Sequence, residues 1–132
     1  MGVTRSLLAL AAAGALACAG AARPPPPPTG TDDASAREVL RRFVVALDAG
    51  RFEEAQALLS ARWRQPYTPG RLALDLRGAG PSAREAAARV NRLLAAGEPL
   101  VHGPGTARLP VGAGRAATVV AEPGGWRVDA LE

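Results

Sequence analysis

The residue types that most often do chemistry are scarce in this chain and lie far apart. Its 132 residues include one cysteine, one histidine, one tyrosine and two tryptophans. Zinc sites and acyl-transfer triads each need several such groups close together. A single histidine, His102, therefore indicates neither a metal centre nor a catalytic triad. We therefore expect no catalytic residue, no metal ligand and no cofactor. His102 stands before a Gly-Pro-Gly turn, which favours a surface histidine and leaves contact with a ligand as the alternative.

One short segment combines aromatic and cationic side chains. Trp63 lies between Arg62 and Arg64, and Tyr67 follows shortly after. An aromatic ring beside guanidinium groups can bind an anionic or planar ligand through cation–π contact, although such a ring more often closes a small core. We take Trp63, Tyr67 and His102 as the candidate ligand-contacting residues.

Carboxylates that could act as a base are present but are not grouped. Glu53 and Glu54 are adjacent on a predicted helix, so at most one of them faces inward. Asp129 alternates with Arg127 on a predicted strand, which places both on the face opposite the core and predicts a solvated ion pair. Spacing identifies none of these residues as catalytic, nor Asp75, the remaining candidate.

The N-terminus has the order of a secretory signal. Arg5 precedes an apolar run over residues 7–16, and small residues follow up to Cys18. The run is too short for a transmembrane helix, which needs about 20 apolar residues. The segment resembles a bacterial lipoprotein signal, in which the cysteine is lipidated, although Ala15 and Leu16 stand in the reverse of the usual order.

This resemblance predicts three segments. They are a signal peptide over residues 1–17, a tether over residues 18–34 that begins with lipidated Cys18, and a domain over residues 35–132. A lone cysteine cannot form an internal disulfide, and more than one acyl chain gives stable anchoring. Pro24–Pro28 would form a stiff polyproline II spacer. We expect a lipid-anchored protein of the bacterial cell envelope.

Two alternatives remain for the same segment. Ordinary cleavage after Ala17 or Ala22 would release a secreted protein. The start of the chain also fits the N-myristoylation pattern at Gly2, which accounts for neither the apolar run nor Cys18.

The charge distribution argues against a nucleic-acid partner. The formal net charge is +4 at pH 7, and the arginines are interleaved with Asp and Glu along the chain. Nucleic-acid binders usually concentrate basic charge on one face. We therefore expect no nucleic-acid partner for this chain.

Helical spacing dominates the chain between residues 35 and 96. Ser35–Glu38 and Ser82–Glu85 both fit a capping box, which predicts helices that start at Ser35 and Ser82. A further helix is predicted over residues 52–64. Residues 68–77 fit either a short helix, begun by a Thr-Pro pair, or a strand with alternating leucines; we favour the helix.

From residue 100 onward, short apolar runs alternate with turns that contain Gly and Pro. Strands are predicted over residues 100–101, 107–111, 116–121 and 126–131, with Trp126 as the core anchor of the last. Helices followed by strands indicate the α+β class, with the helices packed on one face of an antiparallel sheet.

The segment "VVALDAGRFEEAQALLS", residues 44–60, and the closing "GGWRVDALE" resemble the NTF2-like superfamily. The resemblance implies that the N-terminal helices pack on a curved C-terminal antiparallel sheet and form a cone. It implies a non-catalytic domain that binds a small apolar ligand or docks to another envelope protein, and that can form a homodimer through its exposed sheet face. The alternative is a cone-site enzyme of the ketosteroid-isomerase or polyketide-cyclase kind, with a carboxylate base and Tyr67 as donor.

Two further segments fit known motifs but lack the surrounding structure that each motif needs. Gly78–Ala83 fits the G-x-G-x-x-A turn of dinucleotide-binding folds, but the short runs that follow cannot supply the βαβ units such a site needs. "AGRFEEAQALLS" also resembles part of a tetratricopeptide repeat, yet a solenoid needs about three copies and no second copy is present.

Overall fold

The computed structural model describes residues 32–131, in which five helices precede four strands. The helices are α1 (Asp33–Asp48), α2 (Phe52–Ala57), α3 (Ala61–Arg64), α4 (Pro69–Ala79) and α5 (Pro81–Ala95). The strands are β1 (Val101–Gly103), β2 (Thr106–Gly112), β3 (Arg115–Glu122) and β4 (Gly125–Leu131). The predicted α+β class is confirmed. The predicted signal peptide over residues 1–17, Cys18 and the tether up to residue 31 lie outside the described residues.

Helix α1 begins earlier than predicted because Asp32 caps it. The Asp32 carboxylate accepts a hydrogen bond from the backbone N–H of Ser35 at 3.2 Å. Asp is among the best N-cap residues, since its short side chain reaches the free amide groups of the first turn. Ser35 therefore lies inside the helix, and the predicted capping box at this position is wrong.

Helix α5 also starts before its predicted capping box. Gly80 precedes it with φ 56° and ψ −135°, a conformation that only glycine adopts readily. Pro81 then occupies the first helical position, where its missing N–H has no partner to lose. The chain thus turns sharply between α4 and α5, and Ser82 lies within the helix instead of capping it.

The helix predicted over residues 52–64 is split into α2 and α3. Between them Leu59 forms a parallel bridge with Val128 of β4. The Val128 N–H donates to the Leu58 carbonyl oxygen, and the Ser60 N–H donates to the Val128 carbonyl oxygen, each at 2.8 Å. These bonds use backbone groups that a continuous helix would need, so the helix ends and restarts.

The helical interpretation of residues 68–77 is confirmed by α4. Thr68 caps the helix by accepting a bond from the Arg71 N–H at 3.2 Å. None of the residues of α4 is fully buried, and Leu74 is 59% exposed. Helix α4 therefore contributes less to the buried core than α1, whose inner face is buried.

The four strands form an antiparallel meander in the order β1-β2-β3-β4. The predicted strands are confirmed, with β1 placed slightly later than expected. The sheet is open rather than closed into a barrel. A register shift interrupts the pairing of β3 with β4: Val119 pairs with Val128, but Thr118 pairs with Ala130. Asp129 is therefore the extra residue of a β-bulge.

The core lies between α1 and the sheet face that the helices cover. The largest fully buried side chains come from α1 and from three of the strands: Leu40, Val44, Leu109, Val119, Trp126 and Val128. The predicted role of Trp126 as a core anchor is confirmed.

Among residues 32–131, no helix combines the length and the apolar character needed to cross a membrane.

Candidate functional site

A cleft of about 490 Å³, here called the apolar cleft, opens between α1, α3, α4 and the end of β4. Its walls are mostly hydrophobic and aromatic side chains: Phe43, Leu47, Leu59, Trp63, Tyr67, Leu72, Leu76 and Leu131. Small-molecule sites typically have this size and an apolar lining with a few polar groups. The structure thus brings together Trp63 and Tyr67, two of the three predicted ligand-contacting residues.

Three contacts hold the Trp63 side chain in place. Its Nε1–H donates to the backbone carbonyl oxygen of Asp129 at 2.7 Å. The Tyr67 ring meets it edge-to-face, with 5.4 Å between ring centroids, and the Arg62 guanidinium lies 5.0 Å from its centroid. Arg62 and Trp63 are thus in cation–π contact with each other, and the Trp63 ring presents an oriented aromatic surface to the cleft.

The Asp129 carboxylate lines the β4 side of the cleft and accepts several hydrogen bonds. Its Oδ1 accepts bonds from the Ser60 hydroxyl at 2.7 Å and from the Arg62 Nε at 2.8 Å. The Arg62 Nη2 donates to Oδ2 at 2.6 Å. The predicted solvated pair with Arg127 is wrong, because the bulge at Asp129 breaks the strict alternation of the strand.

A second carboxylate ties α3 to the sheet. Glu122, at the end of β3, accepts a bond from the Ala61 N–H at 2.6 Å. It also pairs with Arg64 at 3.3 Å. Together with Asp129, it fixes the short helix that carries Trp63, a role that no sequence pattern indicated.

The other candidate bases are also engaged in ion pairs or exposed. Asp75 lines the apolar cleft and pairs with Arg71 at 3.0 Å. Glu54 pairs with Arg51 at 3.2 Å, and Glu53 is exposed. Within residues 32–131, no group of three or more His, Cys, Asp and Glu side chains is placed to hold a metal ion.

The leucines of α4 in the cleft wall were not recognised from the sequence. Leu72 and Leu76 are four residues apart and share one face of the helix, whereas exposed Leu74 lies on another. That spacing, applied to the favoured helix, could have identified them.

A second cleft of about 550 Å³, the arginine cleft, adjoins the first. Arg77 of α4 and Arg84 of α5 both line it, as does Asp48. Its remaining walls are apolar, and two of their residues, Leu47 and Leu76, also line the apolar cleft.

No family model, curated protein or solved structure matches this chain. The NTF2-like resemblance therefore remains a prediction.

His102, the third predicted ligand-contacting residue, does not line the apolar cleft. It lies in β1, and its Nε2 is 3.0 Å from the Asp33 carboxylate at the start of α1. Arg37 binds the same carboxylate at 2.6 Å and also donates to the backbone carbonyl oxygen of Glu98. These contacts join the start of α1 to the connection between α5 and β1.

Asp33 should make stability depend on pH in the acid range. Hydrogen bonds from His102 and then Arg37 hold the pKa of Asp33 below its usual 3.8. A carboxyl with a depressed folded-state pKa stabilises the fold above the unfolded pKa and loses that contribution as pH falls through the folded value. Asp33→Asn should therefore unfold at lower urea concentration than the parent chain at about pH 7, with the difference shrinking as the pH falls below the usual pKa of 3.8 and the Asp33 carboxyl becomes protonated.

A double-mutant cycle with His102→Asn is the control for this prediction. The effect of Asp33→Asn should shrink when His102 is already replaced, because the two residues contact each other. An Asp33→Asn effect that is constant across pH would contradict the assignment.

Proposed function

We propose that this domain binds a small, largely apolar ligand in the apolar cleft and does not catalyse a reaction. The observation that carries the proposal is the cleft itself, whose walls combine leucines with the oriented rings of Trp63 and Tyr67. A ligand that fills it would cover apolar surface, which is favourable by roughly 25 cal/mol per Å² before the costs of binding.

The state of the acidic groups supports a non-catalytic role. A general base must lie within hydrogen-bond reach of the proton that it takes from the bound molecule, and carboxylates held in ion pairs are committed to other contacts. Both Asp129 oxygens already accept hydrogen bonds from Ser60 and Arg62, and Asp75 is paired with Arg71. The cone-site enzyme alternative would require one of these engaged carboxylates to act as the base.

The proposal includes the cellular setting predicted from the N-terminus. Lipidation of Cys18 would anchor the domain to a membrane of the bacterial envelope through the tether over residues 18–34. An NTF2-like cone is the fold that we infer for the domain, supported by the order of helices and strands and by α1 packing across β3 and β4.

Substitutions on α4 test the ligand site. The full chain carrying Cys18→Ala cannot be lipidated and should be recovered in the soluble fraction. This chain should bind the neutral apolar dye Nile red with a rise in fluorescence. Leu72→Gln should weaken dye binding about tenfold, because losing one leucine contact costs about 1.5 kcal/mol and tenfold in affinity is 1.4 kcal/mol.

Leu74→Gln is the matched control, since Leu74 belongs to the same helix but is 59% exposed. It should leave dye binding unchanged. Absence of dye binding, or equal loss in the two variants, would count against a ligand in this cleft.

A further inference from the structure

The arginines of residues 32–131 divide into two groups along the chain. All seven between residues 37 and 71 take part in ion pairs: Arg37, Arg41, Arg42, Arg51, Arg62, Arg64 and Arg71. None of the seven that follow forms an ion pair with a described residue: Arg77, Arg84, Arg89, Arg92, Arg108, Arg115 and Arg127. All of the second group except half-buried Arg127 are exposed, so six arginines are open to an anion from outside the domain.

Two arginines of the second group line the arginine cleft together. Arg77 donates through Nε to the Ala73 carbonyl oxygen at 3.4 Å, which leaves its two Nη groups for a ligand. Arg84 makes no hydrogen bond to any residue in the described part of the chain. Asp48 also lines this cleft, so the charged groups in its walls sum to one net positive charge.

The two clefts adjoin each other along α4. Leu47 and Leu76 line both of them. On α4, Leu72 lines the apolar cleft and Arg77 lines the arginine cleft, with Leu76 between them. A ligand that passes Leu76 would have an apolar part beside Trp63 and a polar end beside the two guanidinium groups.

We propose that the ligand is a single-chain amphiphile whose anionic headgroup binds Arg77 and Arg84 while its acyl chain lies in the apolar cleft. The inference rests on the proposed function and adds the ligand class. A guanidinium group matches a carboxylate or phosphate through paired N–H donors. A free fatty acid and a lysophospholipid share this chemistry.

Charge selectivity is the test. Binding of decanoate and of decanol, which differ only in the headgroup, is measured by titration calorimetry on the full chain carrying Cys18→Ala. Decanoate should bind at least tenfold more tightly, and the preference should weaken as NaCl is raised, because salt screens the exposed guanidinium groups. Arg77→Gln/Arg84→Gln should reduce the preference to less than threefold with decanol binding unchanged.

Arg41→Gln/Arg42→Gln is the matched control, because these exposed arginines of α1 are ion-paired and line neither cleft. This control variant should keep the full preference for decanoate over decanol.

Equal binding of decanoate and decanol would overturn the inference and leave the proposed function standing. Binding of neither would overturn both. A preference that survives in the Arg77/Arg84 variant would also overturn the inference. Lysophosphatidylglycerol, tested in place of decanoate, distinguishes a membrane lipid from a free fatty acid by the tighter binding.

Discussion

Replacing Trp126 by alanine should lower the free energy of unfolding by about 3–5 kcal/mol, the usual cost of removing a large aromatic side chain from a core. Trp126 is 2% exposed and is the largest fully buried side chain of the described residues. A domain of this size has a total stability of only about 5–15 kcal/mol. Urea unfolding followed by circular dichroism should therefore show a much earlier midpoint or a chain already partly unfolded.

Trp126→Phe is the comparison that separates ring packing from hydrogen bonding. The Trp126 Nε1–H is buried and has no hydrogen-bond partner among residues 32–131. An unpaired buried donor costs about 1–3 kcal/mol, and phenylalanine removes it while keeping most of the ring. Trp126→Phe should thus lose less than about 1.5 kcal/mol, within the range of tolerated apolar exchanges. A loss as large as that of Trp126→Ala would contradict this expectation and show that the part of the indole that phenylalanine lacks carries most of the stabilisation.

Replacing Asp129 by alanine should cost about 1.5–3 kcal/mol, the range for hydrogen bonds that involve a charged group. The substitution leaves Ser60, which is 2% exposed, without the acceptor for its hydroxyl. It also removes the carboxylate that pairs with Arg62, whose guanidinium lies beside the Trp63 ring. The loss is measured as a shift of the urea midpoint, and Nile red binding should weaken because the Trp63 wall is less ordered.

Arg62→Gln distinguishes the two interactions of Asp129. The Arg62 side chain is 63% exposed, and exposed ion pairs contribute at most about 1 kcal/mol. This variant keeps the bond between Ser60 and Asp129, so it should stay within about 1 kcal/mol of the parent chain. Equal destabilisation by Asp129→Ala and Arg62→Gln would mean that the exposed ion pair, and not the buried hydroxyl, accounts for the effect.

Local patterns predicted the elements of the fold but not their junctions. The strands follow from apolar runs and turns, and α4 follows from its Thr-Pro start. The capping boxes at Ser35 and Ser82 failed because a better start was available just upstream, at Asp32 and at the Gly80-Pro81 step. Both segments do fit the capping-box pattern. The helix start in each case was determined by the stronger cap or turn a few residues earlier.

The candidate site was predicted only in its aromatic part. Trp63 and Tyr67 stand close together in the chain, so their neighbourhood was visible from spacing. The hydrogen bonds that Asp129 and Glu122 accept, and that fix α3, join residues more than fifty positions apart. They depend on the β-bulge and on the bridge between Leu59 and Val128, which arise from tertiary pairing and leave no periodic trace.

The bridge between Leu59 and Val128 occupies part of the outer edge of the sheet at β4. The outer edge of a sheet offers free backbone groups to a strand of another molecule, which is a common route to aggregation. On β4 the N–H and carbonyl of Val128 are already used by Leu58 and Ser60. The opposite edge, β1, runs only from Val101 to Gly103. Neither edge provides a long template for a strand from a second copy, so edge-to-edge polymerisation should be disfavoured even at high local concentration.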